Sequence, residues 1–111
     1  MKKLFKNYTY EFDKNEAKII SNFCKQAISQ MSDNQDFYKD VKAFESIKQK
    51  IDSNASEVKM TKDEKTRLVH QLTQNRNHLK QTMDKSGFIK KWFYKSMFTQ
   101  YNNLIETHFG D

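Results

Sequence analysis

Few side chains in this sequence of 111 residues are placed to bind a metal ion. A di-iron helical bundle needs Glu-x-x-His motifs on facing helices, and no such motif occurs. His70 and His78 are eight residues apart, which places them about 80° apart around a helix. That angle favours two solvated histidines over one shared metal site. We therefore expect no metal and no cofactor.

The residues that could support covalent catalysis also lack the required surroundings. Cys24, the single cysteine, lies in an apolar stretch that predicts a small buried side chain, and no Gly-x-Ser-x-Gly turn occurs. The two glycines of the chain are too few for a glycine-rich phosphate loop. Helix capping and first-turn electrostatics explain the paired acidic residues, which are Asp13 with Glu16 and Asp63 with Glu64. The sequence therefore predicts a protein that is not an enzyme.

A cluster of aromatic and lysine residues near the end of the sequence predicts a binding surface. Six of the fifteen aromatic residues lie within residues 88–101, more than one helical face can bury. Because the chain has only five leucines, we expect these rings both to complete the core and to offer a surface for a protein partner or for self-association. A lysine-flanked helix lying on an anionic membrane is the alternative, which we rank below core packing. The candidate partner-binding residues are Trp92, Phe93, Tyr94, Phe98, Lys90, Lys91 and Lys95.

Composition points to one small domain over residues 1–111 with a basic surface. The net charge is +6, and 36% of the residues are hydrophobic. Eighteen of the twenty basic residues are lysine, whereas proteins that bind specific bases rely on arginine. Attraction to phosphates is therefore expected more than base recognition. Abundant Lys, Asn and Gln with scarce Arg and no Pro are compatible with a low-GC bacterial or phage genome.

Hydropathy predicts a cytoplasmic protein without a transmembrane segment. The longest apolar run is Trp92–Tyr94, far short of the roughly 20 residues that cross a bilayer. The start of the sequence, Met1–Asn7, is basic and is not followed by the apolar region of about 7 to 15 residues that a secretory signal has. A single cysteine forms no internal disulfide, which agrees with a cytoplasmic location.

Periodicity predicts four helices and two short strands. Alternating residues at 7–12 and 56–60 are typical of half-buried strands, which we expect to pair as a ribbon near a pseudo-twofold axis. Helices are predicted at about 14–31, 35–52, 62–84 and 88–109, and a capping box begins the first and the third. The apolar stripe of the second helix comprises Phe37, Val41, Phe44, Ile47 and Ile51.

The predicted fold is mainly α, an antiparallel four-helix bundle built as two strand-helix-helix halves with a minor two-stranded β ribbon. The halves span about 7–52 and 57–109, and three identities in 22 aligned positions leave true duplication open. Asn75 and Arg76 interrupt the apolar face of the third helix, which predicts a buried polar layer or an exposed groove.

The repeated order of strand, capped helix, turn and helix resembles two ribbon-helix-helix units in one chain. In that family the paired strands enter the major groove of DNA, so the resemblance implies nucleic-acid binding as an alternative to protein binding. The first and third helices are longer than the family's first helix, and no Gly-x-Ser or Gly-x-Thr turn joins the helices. Two acids, Glu11 and Glu57, are among the outward strand residues, where they would face phosphate.

Overall fold

The computed structural model describes residues 8–53, 57–85 and 87–110, with the backbone alone at 88 and 89. The described residues form four α-helices and a small two-stranded antiparallel sheet, as predicted. In chain order the elements are β1 (Tyr8–Tyr10), α1 (Lys14–Met31), a 3₁₀ turn (Gln35–Phe37), α2 (Tyr38–Asp52), β2 (Val58–Met60), α3 (Lys62–Lys85), α4 (Phe88–Leu104) and a π turn (Ile105–Phe109).

The predicted ribbon is confirmed as the antiparallel pairing of β1 with β2. In its register Tyr8 lies opposite Met60, Thr9 opposite Lys59, and Tyr10 opposite Val58. The side chains alternate, because Val58 and Met60 are buried while Thr9 and Lys59 are exposed. Asn7 and residues 54–56, which belong to the predicted strands and the loop before the second, lie outside the described residues. The proposed pseudo-twofold axis stays a prediction.

Two capping boxes begin α1 and α3, as the sequence indicates. At α1, the Asp13 carboxylate accepts a hydrogen bond from the Glu16 amide at 2.7 Å, and the Glu16 carboxylate accepts one from the Asp13 amide at 3.0 Å. At α3, the Thr61 hydroxyl accepts from the Glu64 amide at 3.1 Å, and the Glu64 carboxylate accepts from the Thr61 amide at 3.0 Å. Each box satisfies amides of a first helical turn that have no partner within the helix.

The start of α2 differs from the predicted helix over 35–52. The side-chain oxygen of Asn34 accepts a hydrogen bond from the Asp36 amide at 2.9 Å, and a 3₁₀ turn follows before the α-helix begins at Tyr38. Phe37 therefore does not belong to the buried stripe to which its spacing assigned it. Its side chain is 39% exposed.

Contacts between residues within the chain group it into two compact units, residues 1–67 and residues 68–111. The division falls within α3, and the predicted halves at 7–52 and 57–109 stay a prediction. The helix–helix contacts are those of a bundle, and α1 with α2 supplies most of them.

The core of the first unit lies between α1 and α2, which run antiparallel. The rings of Phe23 and Phe44 meet edge to face, with their centroids 6.3 Å apart. Nearer the start of α1, the Ser21 hydroxyl donates to the carboxylate of Asp52 at the end of α2, at 2.8 Å. The buried residues of this unit are Ile20, Phe23, Cys24, Ala27, Met31, Ala43, Phe44, Ile47, Ile51, Val58, Met60 and Glu64.

In the second unit, a polar contact joins α3 to α4. The Arg76 guanidinium donates to the side-chain oxygen of Asn102 at 3.1 Å, while the Asn75 amide donates to the Gln71 carbonyl within α3 at 2.8 Å. Asn75 is exposed and Arg76 is half-buried. The polar interruption of the α3 stripe is thus accommodated by local and interhelical hydrogen bonds. The buried residues of this unit are Leu68, Leu72, Leu79, Tyr101, Leu104, Ile105 and Phe109.

Candidate partner-binding surface

The last two turns of α4 show which side of this helix is buried. Tyr101 and Leu104 are buried, and Met97 is half-buried. Successive helical residues are about 100° apart, so Trp92, nine residues before Tyr101, lies on the opposite side of the helix. The helix therefore turns the Trp92 side chain toward solvent.

The structure separates the four predicted aromatic residues into two pairs. Trp92 is 75% exposed and Phe93 is 57% exposed, whereas Tyr94 and Phe98 are half-buried. The rings of Phe93 and Tyr94 meet edge to face, with centroids 5.7 Å apart. The expectation that this cluster completes the core is wrong for Trp92 and Phe93. One helical side accommodates only some of the rings, and the buried side is the one that carries Tyr101.

Three lysines lie beside the exposed rings. Lys90, Lys91 and Lys95 are exposed, and within the described part of the chain none of them forms an ion pair. The sequence of α4 contains no Asp or Glu over its 17 residues. We call Lys90, Lys91, Trp92, Phe93 and Lys95 together the aromatic–lysine face. It combines two exposed rings with uncompensated positive charge.

The lysines bracket the two rings around the helix. Lys90 lies about 60° beyond Phe93 in one direction, toward the side that carries Tyr101, although the Lys90 side chain itself is exposed. Lys95 lies about 60° beyond Trp92 in the other direction. Lys91 is on the same flank as Lys95. The face therefore has an apolar centre and a cationic rim, which is the arrangement of many protein interfaces.

A second exposed aromatic pair lies in the first unit, where α2 begins. Tyr38 is 61% exposed beside Phe37, and the Lys42 ammonium lies 5.6 Å from the centre of its ring. Acidic residues accompany this pair, because Asp36 and Asp40 lie within two residues of it. Spacing alone did not indicate this surface. The signal that could have found it is the adjacent Phe37 and Tyr38, which begin three residues after the capping Asn34.

Arg67 connects α3 to α2 near this second pair. Its guanidinium donates to the Asp40 carboxylate at 2.8 Å and to the Asp63 carboxylate at 3.0 Å. These two carboxylates raise the pKa of Arg67 above its ordinary value. A cleft of about 500 Å³ lies beside Tyr38 and Arg67. Opposite charges are balanced here, unlike those on the aromatic–lysine face.

A cleft of about 640 Å³ lies between the first turns of α1 and the end of α2. Its lining carries both signs of charge, with Lys14 and Lys18 near Asp13 and Asp52. The Lys48 and Ser21 side chains hydrogen-bond to Asp52 and hold the pKa of its carboxyl below the ordinary value. The Ser21–Asp52 hydrogen bond connects the first half of α1 to the end of α2, and the Lys48–Asp52 ion pair lies within α2. Both contacts have a structural role.

The buried carboxylate of Glu64 joins α2 to the start of α3. It accepts from the Lys50 ammonium at 2.7 Å and from the Ser46 hydroxyl at 2.5 Å, in addition to the Thr61 amide. Burial by itself raises its pKa, but the hydrogen bonds from Lys50, Ser46 and Thr61 outweigh burial and hold the pKa below its ordinary value. Sequence analysis identified the cap but missed Ser46 and Lys50, since their contacts with Glu64 span two helices. Their spacing of four residues on α2 is the signal that was available.

The sequence-based assignments of the candidate reactive residues agree with their positions. Cys24 is fully buried, and burial raises the pKa of its thiol to about 12, which disfavours the reactive thiolate. His70 and His78 are exposed. Among the described residues, no cluster of three or more His, Cys, Asp or Glu side chains could hold a metal ion.

Comparison with known proteins found no matching family model, no matching curated protein and no matching solved structure. Along the described residues, no helix combines the length and the apolar content that crossing a bilayer requires. The chemistry of the surface itself is therefore the basis for a functional assignment.

Proposed function

We propose that this protein is a small non-enzymatic interaction or regulatory module that binds another protein through the aromatic–lysine face of α4. The observation that carries the proposal is the exposure of Trp92 and Phe93, adjacent large rings on a helix whose other side is buried. We also propose a cytoplasmic location, which the single buried cysteine supports.

The energetic argument rests on the cost of leaving these rings in water. Burying an exposed Phe side chain fully stabilises a complex by about 1.5–3 kcal/mol, and Trp is larger. Trp and Tyr are enriched among the few interface residues that carry most of the binding energy. A partner that covers Trp92 and Phe93 therefore gains several kcal/mol of binding free energy from these two residues.

The alternative function is nucleic-acid binding through phosphates, by analogy with ribbon-helix-helix proteins. The observation that favours it is the antiparallel ribbon, whose outward residues include the opposed pair Thr9 and Lys59. Two exposed carboxylates, those of Glu11 and Glu57, lie directly beyond the Tyr10–Val58 pair at one end of the ribbon, and they would repel the phosphate backbone. Protein binding is therefore our first proposal.

The test is a retention experiment with two matched double variants. The immobilised 111-residue chain is exposed to nuclease-treated extract of the source cells, and bound proteins are identified by mass spectrometry. The chain supplies its own control, because F37A/Y38A removes an exposed aromatic pair of the other unit while W92A/F93A removes the proposed one.

We expect a specific protein to be retained by the wild type and by F37A/Y38A, and to be lost with W92A/F93A. Equal retention by all three forms would contradict the proposed surface. In a parallel run with extract that has not been treated with nuclease, retention found only there, with duplex binding that weakens steeply as salt rises, would favour the nucleic-acid alternative.

A further inference from the structure

We infer that the occupant of the aromatic–lysine face is an acidic protein segment, one that presents an apolar centre to Trp92 and Phe93 and carboxylates to the lysines on either side. This inference rests on the proposed function and identifies the class of partner. Its basis is the distribution of charge around the two rings.

The charge of the face has one sign throughout. Over the 17 residues of α4 there are three lysines and no acid, and the nearest acids along the chain, Asp84 and Glu106, lie outside the helix. A surface of this kind repels a basic partner and attracts an acidic one. Because no ion pair within the described residues neutralises Lys90, Lys91 or Lys95, their charges are available to a partner.

The positions of the lysines define where the partner's acids must lie. Lys90 flanks the ring pair on the Phe93 side, while Lys91 and Lys95 flank it on the Trp92 side. A segment crossing the helix over the rings therefore meets a cation on both sides of its apolar centre. The matching chemistry is a leucine-like or aromatic centre with glutamate or aspartate before and after it.

The same distribution of charge disfavours a symmetric contact between two copies of the chain. Two aromatic–lysine faces in contact would bring six lysines together without a carboxylate from either helix, and like charges across an interface are destabilising. A lipid surface is also disfavoured. The exposed arc that contains Trp92 includes Ser96, Thr99 and Asn103, whereas a helix lying on a membrane needs a broad apolar side.

Trp92 is the single tryptophan, so its fluorescence reports directly on this face. We would titrate the full chain with a synthetic peptide that has a Leu-Leu centre flanked by glutamates. The comparison peptide has every glutamate replaced by glutamine. Single-stranded oligothymidylate and vesicles of phosphatidylserine with phosphatidylcholine serve as the other polyanionic probes.

The matched variants change the same number of lysines at different places. K90Q/K91Q/K95Q removes the cationic rim but keeps Trp92, and K18Q/K25Q/K80Q removes three exposed lysines elsewhere. All six altered lysines are exposed, and unchanged circular dichroism and melting temperature establish that each variant is folded.

We expect the acidic peptide to shift the Trp92 emission to the blue and to shield it from acrylamide, in a saturable manner. The glutamine peptide should bind about tenfold more weakly, and so should the acidic peptide with K90Q/K91Q/K95Q, since three rim pairs together contribute about that factor. The control variant should bind within about twofold of the wild type.

Each other outcome overturns a defined part of the account. Equal binding of the acidic and glutamine peptides would overturn the acidic partner and leave the proposed protein-binding function in place. A Trp92 response to oligothymidylate or to the vesicles, but not to the acidic peptide, would overturn both. No response to the acidic peptide overturns the inference, while the retention experiment decides the function separately.

Discussion

Glu64→Gln keeps the size of a buried side chain while removing the charge that joins α2 to the start of α3. Glu64 is 7% exposed, and its two oxygens accept hydrogen bonds from Lys50, Ser46 and the Thr61 amide. Glutamine can still accept through its carbonyl oxygen, and its amide group can donate to the Ser46 hydroxyl. The variant therefore loses mainly the charge-assisted bond to Lys50.

The cost of that loss is about 2 kcal/mol of unfolding free energy. A hydrogen bond to a charged group contributes about 1.5–3 kcal/mol, and the partly exposed Lys50 side chain moves the figure toward the lower end. For a chain of this length, the melting temperature should fall by about 8 °C.

The effect should depend on pH in a defined direction. Because the pKa of folded Glu64 is lower than its ordinary value of 4.5, its contribution is fully present above that value. The contribution is lost as the pH falls through the folded-state pKa. The difference between the wild type and Glu64→Gln should therefore be full at neutral pH and shrink in acid.

Urea unfolding followed by far-UV circular dichroism, at neutral and at acidic pH, measures this difference. The control is Glu45→Gln, the same change at an exposed glutamate of α2, which should alter the unfolding free energy by less than about 0.5 kcal/mol. Equal effects of the two substitutions, or a Glu64→Gln effect that grows in acid, would refute the assigned role of Glu64.

Two further predictions concern buried and exposed residues. Phe44→Ala should lower the unfolding free energy by about 3–5 kcal/mol, because the ring is fully buried against Phe23, whereas Trp92→Ala should change it by less than about 0.5 kcal/mol. Chemical denaturation of both variants checks this contrast, and a large loss for Trp92→Ala would contradict the exposed position. Cys24 should resist a thiol reagent at mildly alkaline pH until the chain unfolds, since its thiol is buried with a pKa of about 12. Fast labelling of the native protein would refute that.

The local parts of this fold could be predicted because local interactions determine them. The helix that follows Asp13 begins where the sequence predicts, since both partners of its capping box lie within one turn. The ribbon could be predicted from alternation, because a half-buried strand places every second side chain on the same face.

Contacts between secondary-structure elements determine which aromatic side chains are buried, and sequence analysis does not show these contacts. The excess of rings within residues 88–101 was visible, and so was the expectation of a surface there. The side of α4 that is buried depends on packing around Tyr101, however, so which of the rings are exposed was not predictable. Phe37 has the right spacing for a buried stripe. The hydrogen bond from the Asp36 amide to the Asn34 side chain instead places Phe37 in a 3₁₀ turn, which ends one residue before α2 begins. The periodicity of a sequence predicts which residues form the apolar stripe of a helix, but it does not predict which element packs against that stripe.

The fluorescence of Trp92 in the isolated chain tests the central claim most directly. The exposed ring should emit at the wavelength of tryptophan in water, and acrylamide should quench it nearly as fast as a small tryptophan amide. That result would establish that the proposed binding residue faces solvent before any partner is added. A blue-shifted emission with strong shielding would show that the ring is already buried, and it would contradict the proposed surface.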